Sequence, residues 1–324
     1  MAITTQRFRP QREGRRFDPS PGQVRYSERW IGAAASGSAL AVLALVAGGA
    51  PAAAALGLLG ATGAAYVFWH EPRQPRLEQV TLRLPRLPLA LDGLRIGQLS
   101  DLHLGLPYTA DNARWAVERL VAEQPDLLVM TGDFVSFERA IPELPEVLAP
   151  LKSWRPRLGI FAVPGNHDYW EGFPAIQRTL APLGVEFLLN SHRRLRDGEA
   201  ELVLAGVDDM WDSAHDLAAT LDGAPEGVFT VLLSHCPDLA DEAAARGVHL
   251  QLSGHTHGGH VYLPLLGSFC LPRHGWRYPI GHLTIGALQL YVSRGIGGLP
   301  FRLGCPPEVT ILTLRRASEA GSTA

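Results

Sequence analysis

Three aspartates, one asparagine and five histidines fall in five short motifs: Asp101-Leu102-His103, Gly132-Asp133, Gly165-Asn166-His167-Asp168, His235 and Gly254-His255-Thr256-His257. Carboxylate, amide oxygen and imidazole together suit divalent cations such as manganese, iron or zinc, whereas thiolates would mark a structural zinc. No cysteine pair has C-x-x-C spacing, which excludes a zinc finger. Two cations about 3.5–4 Å apart can share one carboxylate and activate water for an in-line displacement. Asp133, standing alone after Gly132, suits that shared position. Gly132 and Gly165 allow the tight turns that bring backbone close to an ion.

Each motif follows an apolar, β-branched run that reads as a buried strand. The runs are Leu94–Leu99, Leu127–Met130, Ile160–Val163, Phe229–Leu233 and Val248–Leu252. In a sheet with helical crossovers, ligands gather outside the carboxyl ends of the strands. Asp111–Glu123 reads as a helix ending before Pro125, and Asp238–Arg246 as another stopped by Gly247. Val80–Leu84 alternates as an edge strand does, and Val309–Leu314 reads as a final strand.

The motif series D-x-H, G-D, G-N-H-[DE], H and G-H-x-H resembles that of the calcineurin-like metallophosphoesterase superfamily, bacterial membrane-associated branch, from Leu77 to Leu314. The resemblance implies an α/β fold: a β-sandwich flanked by helices, with a dinuclear metal site at one sheet edge. It implies that Asp101, His103 and His257 hold one metal, that Asn166, His235 and His255 hold the other, and that Asp133 bridges them. It also implies hydrolysis of phosphoester or phosphoanhydride bonds by a metal-bridging hydroxide, with His167 protonating the leaving group. Asp168 would orient His167 or a ligand from behind. The cofactors implied are two divalent ions, manganese foremost, with iron or zinc as alternatives.

Other polar residues carry weaker signals. Arg294 lies in Tyr291-Val292-Ser293-Arg294-Gly295-Ile296-Gly297, where it would clamp a phosphate or make a structural salt bridge. His260, after Gly258-Gly259, would touch substrate, support a ligand or simply replace another local donor. Asp208-Asp209 ends the run Leu202–Val207 and reads as a turn or a supporting pair. His70, His192, His215, His249, His274 and His282 read as surface or packing residues. Cys236, Cys270 and Cys305 form no disulfide framework, and Cys236 reads as a small buried residue rather than a ligand.

A net charge of −3 without a basic stripe excludes a dedicated nucleic-acid partner. Ile31 to Trp69 holds no charged residue, and a single helix over it would be about 58 Å long, nearly twice a roughly 30 Å bilayer core. Gly48-Gly49-Ala50-Pro51 splits it into Ile31–Ala47 and Ala52–Trp69, so a transmembrane hairpin is expected. Arg25 and Arg29 before it, and Arg73 and Arg76 after it, place both ends in the cytoplasm. A cleaved export signal and a single-pass anchor are the alternatives. The expected organisation is a disordered Arg-rich tail (1–29), the hairpin (30–69), a linker (70–76), the catalytic domain (77–316) and a disordered tail (317–324).

These features suggest a phosphorylated small-molecule or lipid-linked substrate met at the inner membrane by a domain facing the cytosol. Val261–Cys270, with Leu263, Leu265, Leu266 and Phe269, would accept acyl chains or dip into the interface, unless it forms a core hairpin. The resembling branch implies UDP-2,3-diacylglucosamine as one candidate. A membrane-tethered phosphodiesterase or phosphatase acting on soluble substrates is a second reading, and a non-catalytic phospholigand-binding membrane protein a third.

Overall fold

Residues 49–211 and 214–317 are described from a computed structural model of the chain. The first element is an apolar helix, α1 (Gly49–Arg73), with Gly49 in a left-handed turn and Pro51 in its first turn. Among the described residues it is the one helix long and apolar enough to cross a membrane, and its most apolar stretch is not buried against protein. The Ile31–Ala47 half of the expected hairpin lies outside the described residues. The helix runs past Trp69 because Arg73 folds back on it: its guanidinium lies 3.8 Å over the Trp69 ring and donates to the Trp69 carbonyl at 2.9 Å. The expected linker 70–76 thereby shrinks to Gln74 and Pro75, and β1 (Arg76–Leu84) follows at once.

From Gly57 onward the chain forms one unit built on two sheets. The first sheet takes β2 (Arg95–Leu99), β3 (Leu127–Met130), β4 (Ile160–Ala162), β5 (Val185–Phe187) and the last strand, β14 (Glu308–Arg316), in the order β1-β14-β2-β3-β4-β5. The second contains β6 (Ser191–Asp197), β7 (Ala200–Gly206), β8 (Phe229–Leu233), β9 (Leu250–Ser253), β12 (Gly281–Ile285) and β13 (Leu288–Val292), in the order β12-β13-β9-β8-β7-β6. A separate two-stranded hairpin joins β10 (Tyr262–Leu263) to β11 (Gly267–Ser268). β1 is an edge strand, as the sequence suggests, but it pairs in parallel with the distant β14.

Strand periodicity sorts the side chains into three apolar layers. Leu127 and Val129 of β3 meet Phe229, Val231 and Leu233 of β8 and Leu250 and Leu252 of β9 between the sheets. Their alternates, Leu128 and Met130, face α2 (Thr109–Glu123) and its neighbours, including Val117 and Leu120. On the far side, Leu232 packs with Leu239, Ala240 and Ala243 beneath the helix Ala240–Ala245. This is why both faces of the central strands read as continuous apolar runs rather than alternating ones. Helix, sheet, sheet and helix form four layers, and β2, β3, β4, β8 and β9 all end at the same edge.

Candidate metal centre

The chain leaves β2, β3 and β9 through sharp turns. Asp101 (φ 54°), His103 (47°), Asp133 (56°), His255 (71°) and His257 (51°) all take left-handed backbone, which costs a non-glycine residue roughly 1–2 kcal/mol. Such residues gather where the surrounding structure over-determines them. Here the turns are tied together: Asp101 N–H donates to Gly132 O at 2.9 Å, His103 N–H to Asp133 O at 3.0 Å, and His255 N–H to Asp101 Oδ1 at 3.0 Å. The glycines are sterically required. A Cβ on Gly165 would lie 2.2 Å from Asp133 Oδ1, and one on Gly254 would lie 2.0 Å from Ser100 Oγ.

Asp133 sits at the middle of the arrangement. Its Oδ2 is 3.4 Å from His103 Nε2 and 3.3 Å from His235 Nε2. On one side, His103 Nε2 faces His257 Nε2 at 3.2 Å, and His257 Nε2 lies 3.6 Å from Asp101 Oδ1. On the other, His235 Nε2 faces His255 Nδ1 at 3.0 Å. The distal nitrogens are engaged: His235 Nδ1 with Thr131 O (2.7 Å), His255 Nε2 with Arg273 O (2.6 Å) and His103 Nδ1 with Ser136 Oγ (2.8 Å). A ring that donates to a carbonyl through one nitrogen offers the lone pair of the other, the usual support for a metal-bound histidine.

Asn166, the first residue of the helix α3 (Asn166–Glu171), is buried, and its Oδ1 has no hydrogen-bond partner. A buried amide oxygen left unpaired costs about 1–3 kcal/mol, and a cation would satisfy it. With the facing imidazole nitrogens, this is a donor set that fits two divalent cations.

Burial and neighbouring charges act against each other across the cluster. Burial opposes ionisation of Asp133, but His235, His167 and His103 hold it well below the usual carboxylate range. Burial would lower His235, yet the Asp133 and Asp101 carboxylates raise it to about 10. Burial pushes Asp101 up to about 7 and holds His103 and His255 down to about 3.

His167 stands beside the cluster. Its ring meets the His103 ring edge-on with centroids 4.7 Å apart, its backbone N–H donates to Asp133 Oδ1 at 3.0 Å, and its Nδ1 has no partner. The Asp168 carboxylate does not bond to the His167 ring. It accepts the N–H groups of Asp133 (2.9 Å), Phe134 (2.8 Å) and Gly165 (2.8 Å), so it orients the turn that carries Asp133.

Geometry selects among the readings left open for Arg294 and His260. Arg294 is held by Glu78 of β1 and by Glu308 of β14 (2.6 Å), so its charge is matched by two carboxylates in the structural salt bridge that the sequence offered beside the phosphate clamp. His260 is buried and stacked on His257 with centroids 4.7 Å apart at 24°, so it backs a ligand ring instead of facing the opening. Asp208 accepts from the Tyr169 hydroxyl. Cys236 is buried in the second sheet's turn, with its thiol pushed up first by burial.

The sequence reading missed Arg302. Its side chain is fully buried and donates to the carbonyls of His257 (3.1 Å), Arg294 (3.0 Å) and Cys305 (3.2 Å), with Nη2 3.4 Å from His257 Nδ1. Its backbone N–H donates to Val67 O in α1 at 2.9 Å, and Glu71 of α1 accepts from Cys305 N–H at 2.8 Å. The segment 296–305 thus ties the foot of α1 to the His257 turn. Only the cost of burying an unpaired cation could have flagged it, and that burial is invisible in one dimension.

Residues 94–259 match the family model described as calcineurin-like phosphoesterase. The chain is 32% identical over 255 residues to an uncharacterized metallophosphoesterase, YkuE, of Bacillus subtilis, covering 77% of this chain and 89% of that protein. It is 31% identical over 223 residues to the phosphodiesterase YaeI of Escherichia coli, covering 67% and 80%. It is also 30% identical over 273 residues to a transmembrane protein with metallophosphoesterase domain of Danio rerio, covering 78% of this chain and 60% of that protein. With its ligand clusters in place, the chain belongs to the calcineurin-like phosphoesterase family and is a metal-dependent phosphoesterase.

Proposed function

We propose that the chain is a membrane-held phosphodiesterase or pyrophosphatase acting on a lipid-linked phosphate, with UDP-2,3-diacylglucosamine as the candidate substrate. The observation that carries the two-cation reading is the sharing of ligands. Asp133 belongs to a cluster with His103 and His167 and to another with His235 and His255, while His103 also belongs to a third with Asp101 and His257. Asp101, His103 and His257 would hold one cation, and Asn166, His235 and His255 the other, with Asp133 common to both. Bound there, divalent cations, manganese foremost and iron or zinc as alternatives, supply Lewis acidity and lower the pKa of water. His167 donates a proton to the departing oxygen, a role that suits its unpaired Nδ1 beside the cluster. Asp168 holds the Asp133 turn still while charge develops.

The lipid part of the reading rests on α1 and its surroundings. Its 25 residues make a helix about 37 Å long, enough for a roughly 30 Å core. The β10–β11 hairpin is not core: Leu265 and Leu266 at its tip are 105% and 62% exposed. Tyr262 N–H donates to Leu303 O at 2.8 Å, next to the residue that bonds α1, so the base of the hairpin and the helix foot are braced by one segment. Exposed Phe68, Trp69, Leu299, Leu265 and Leu266 would rest in the interface and raise the local concentration of a lipid substrate. The two-pass topology and the cytosolic placement of the catalytic unit at the inner membrane are part of this proposal.

The test is hydrolysis of UDP-2,3-diacylglucosamine in detergent micelles with added manganese, with Asp133→Asn as control. Release of uridine monophosphate by the wild type alone supports the lipid-linked substrate. No release from a preparation that cleaves a simple aryl phosphodiester discards it and leaves the tethered phosphodiesterase of broad specificity.

A further inference from the structure

One side of the cluster is lined by aromatic rings in a way that holding cations does not require. Trp170 follows His167 by three residues on α3 and so shares its face. The two ring centroids are 4.7 Å apart, and Trp170 stays 45% exposed. Trp211, beyond the end of β7, meets Trp170 edge-on at 5.5 Å and 84°, and reaches His255 at 5.8 Å and His274 at 6.4 Å. His274 belongs to the loop that also fixes His255 through the Arg273 carbonyl. A single exposed tryptophan needs no explanation. Here three separate segments bring His167, Trp170, Trp211 and His274 into one row beside the catalytic cluster.

The same wall holds polar groups without partners. His274 Nε2 and His215 Nδ1 are buried and make no hydrogen bond. The two rings are close enough for His215 to contribute to the lowering of His274, after burial and Arg273. A neutral imidazole can donate from one nitrogen and accept at the other, which matches the edge of a heteroaromatic ring.

The geometry points to a subsite for a planar aromatic ring on the substrate arm that lies on the His167 side: its face packs on Trp170, the perpendicular Trp211 closes against its rim, and its edge turns to His274. The phosphate end rests on the hydrolase reading above; the ring end rests on this wall alone. A nucleobase and a simple aryl group share the flat face, while only a base offers hydrogen-bonding edges.

The test is calorimetry on the full chain in detergent, titrated with uridine 5′-monophosphate, phenyl phosphate and ribose 5-phosphate. The two aromatic ligands are expected to bind about tenfold or more tightly than ribose 5-phosphate. Trp170→Ala and Trp211→Ala should each erase most of that preference, and Trp170→Phe should keep it, which separates stacking from misfolding. Uridine monophosphate ahead of phenyl phosphate, with the gap closed by His274→Ala, assigns a nucleobase; equal binding of the two assigns an aryl ring. Equal binding of all three ligands by the wild type, or an equal loss for all three in Trp170→Ala, overturns the subsite. Turnover of an aryl phosphodiester is followed on the same preparations. Its absence with aromatic selectivity intact overturns the hydrolase reading and leaves the subsite standing.

Discussion

The two sheets contribute opposite chemistry to one pocket. The first sheet delivers the oxygen donors, Asp101, Asp133 and Asn166, with a single imidazole, His103, whereas the second delivers imidazoles only, His235, His255 and His257. Each half is positioned by the other. His235, after β8, is oriented by the carbonyl of Thr131, after β3. Asp101, after β2, accepts the N–H of His255, after β9. Neither half of the site is complete before the sheets meet, so the apolar layer between them also assembles the chemistry. The oxygen half carries the shared group, and the imidazole half sets which protonation states admit a cation.

Substitutions in the two halves should therefore fail differently. The largest effect is expected at Asp133. Asp133→Asn should reduce turnover about 10³-fold or more, because both half-sites lose their common carboxylate. His167→Ala keeps every proposed ligand and should slow the reaction about 10²–10⁴-fold, most for poor leaving groups. Comparing nitrophenyl with alkyl leaving groups checks this, and loss of both metals in that variant would contradict the proton-donor role. Asp168→Asn leaves the ligands in place but weakens their support, so metal affinity should fall about 10–100-fold, as competition with a chelator would reveal.

A smaller effect sharpens the contrast between the halves. In the metal-free protein burial lowers His235, but Asp133 and Asp101 overcome it and raise the imidazole to about 10, so it is protonated at pH 7. A cation must displace that proton. Uptake should release protons at pH 7, and apparent affinity should rise as pH increases toward the raised value and fall in acid. A pH-stat titration with manganese measures this; uptake without proton release would contradict it.

The catalytic turns were legible in the sequence because each follows a short apolar run, and five strands ending at one edge follow from the alternation of runs and helices. The pairing of β1 with β14 was not legible, since strand periodicity gives faces and not partners. The two readings of Arg294 could not be separated for a related reason: its neutralising partners, Glu78 and Glu308, come from those two strands. Arg302 went unseen because its partners are carbonyls, which have no sequence signature. Trp170 could have been found, three residues after His167 on a short helix, but Trp211 and His274 reach the pocket only through tertiary packing.

One two-cation centre held by both sheets through Asp133 makes a prediction about stoichiometry. Metal content per chain, measured by elemental analysis of the wild type, His235→Ala and Asp133→Asn after equal manganese loading, tests it most directly. Two ions are expected in the wild type, about one in His235→Ala and less than one in Asp133→Asn. Two ions retained in Asp133→Asn, or a single ion in an active wild type, would contradict it.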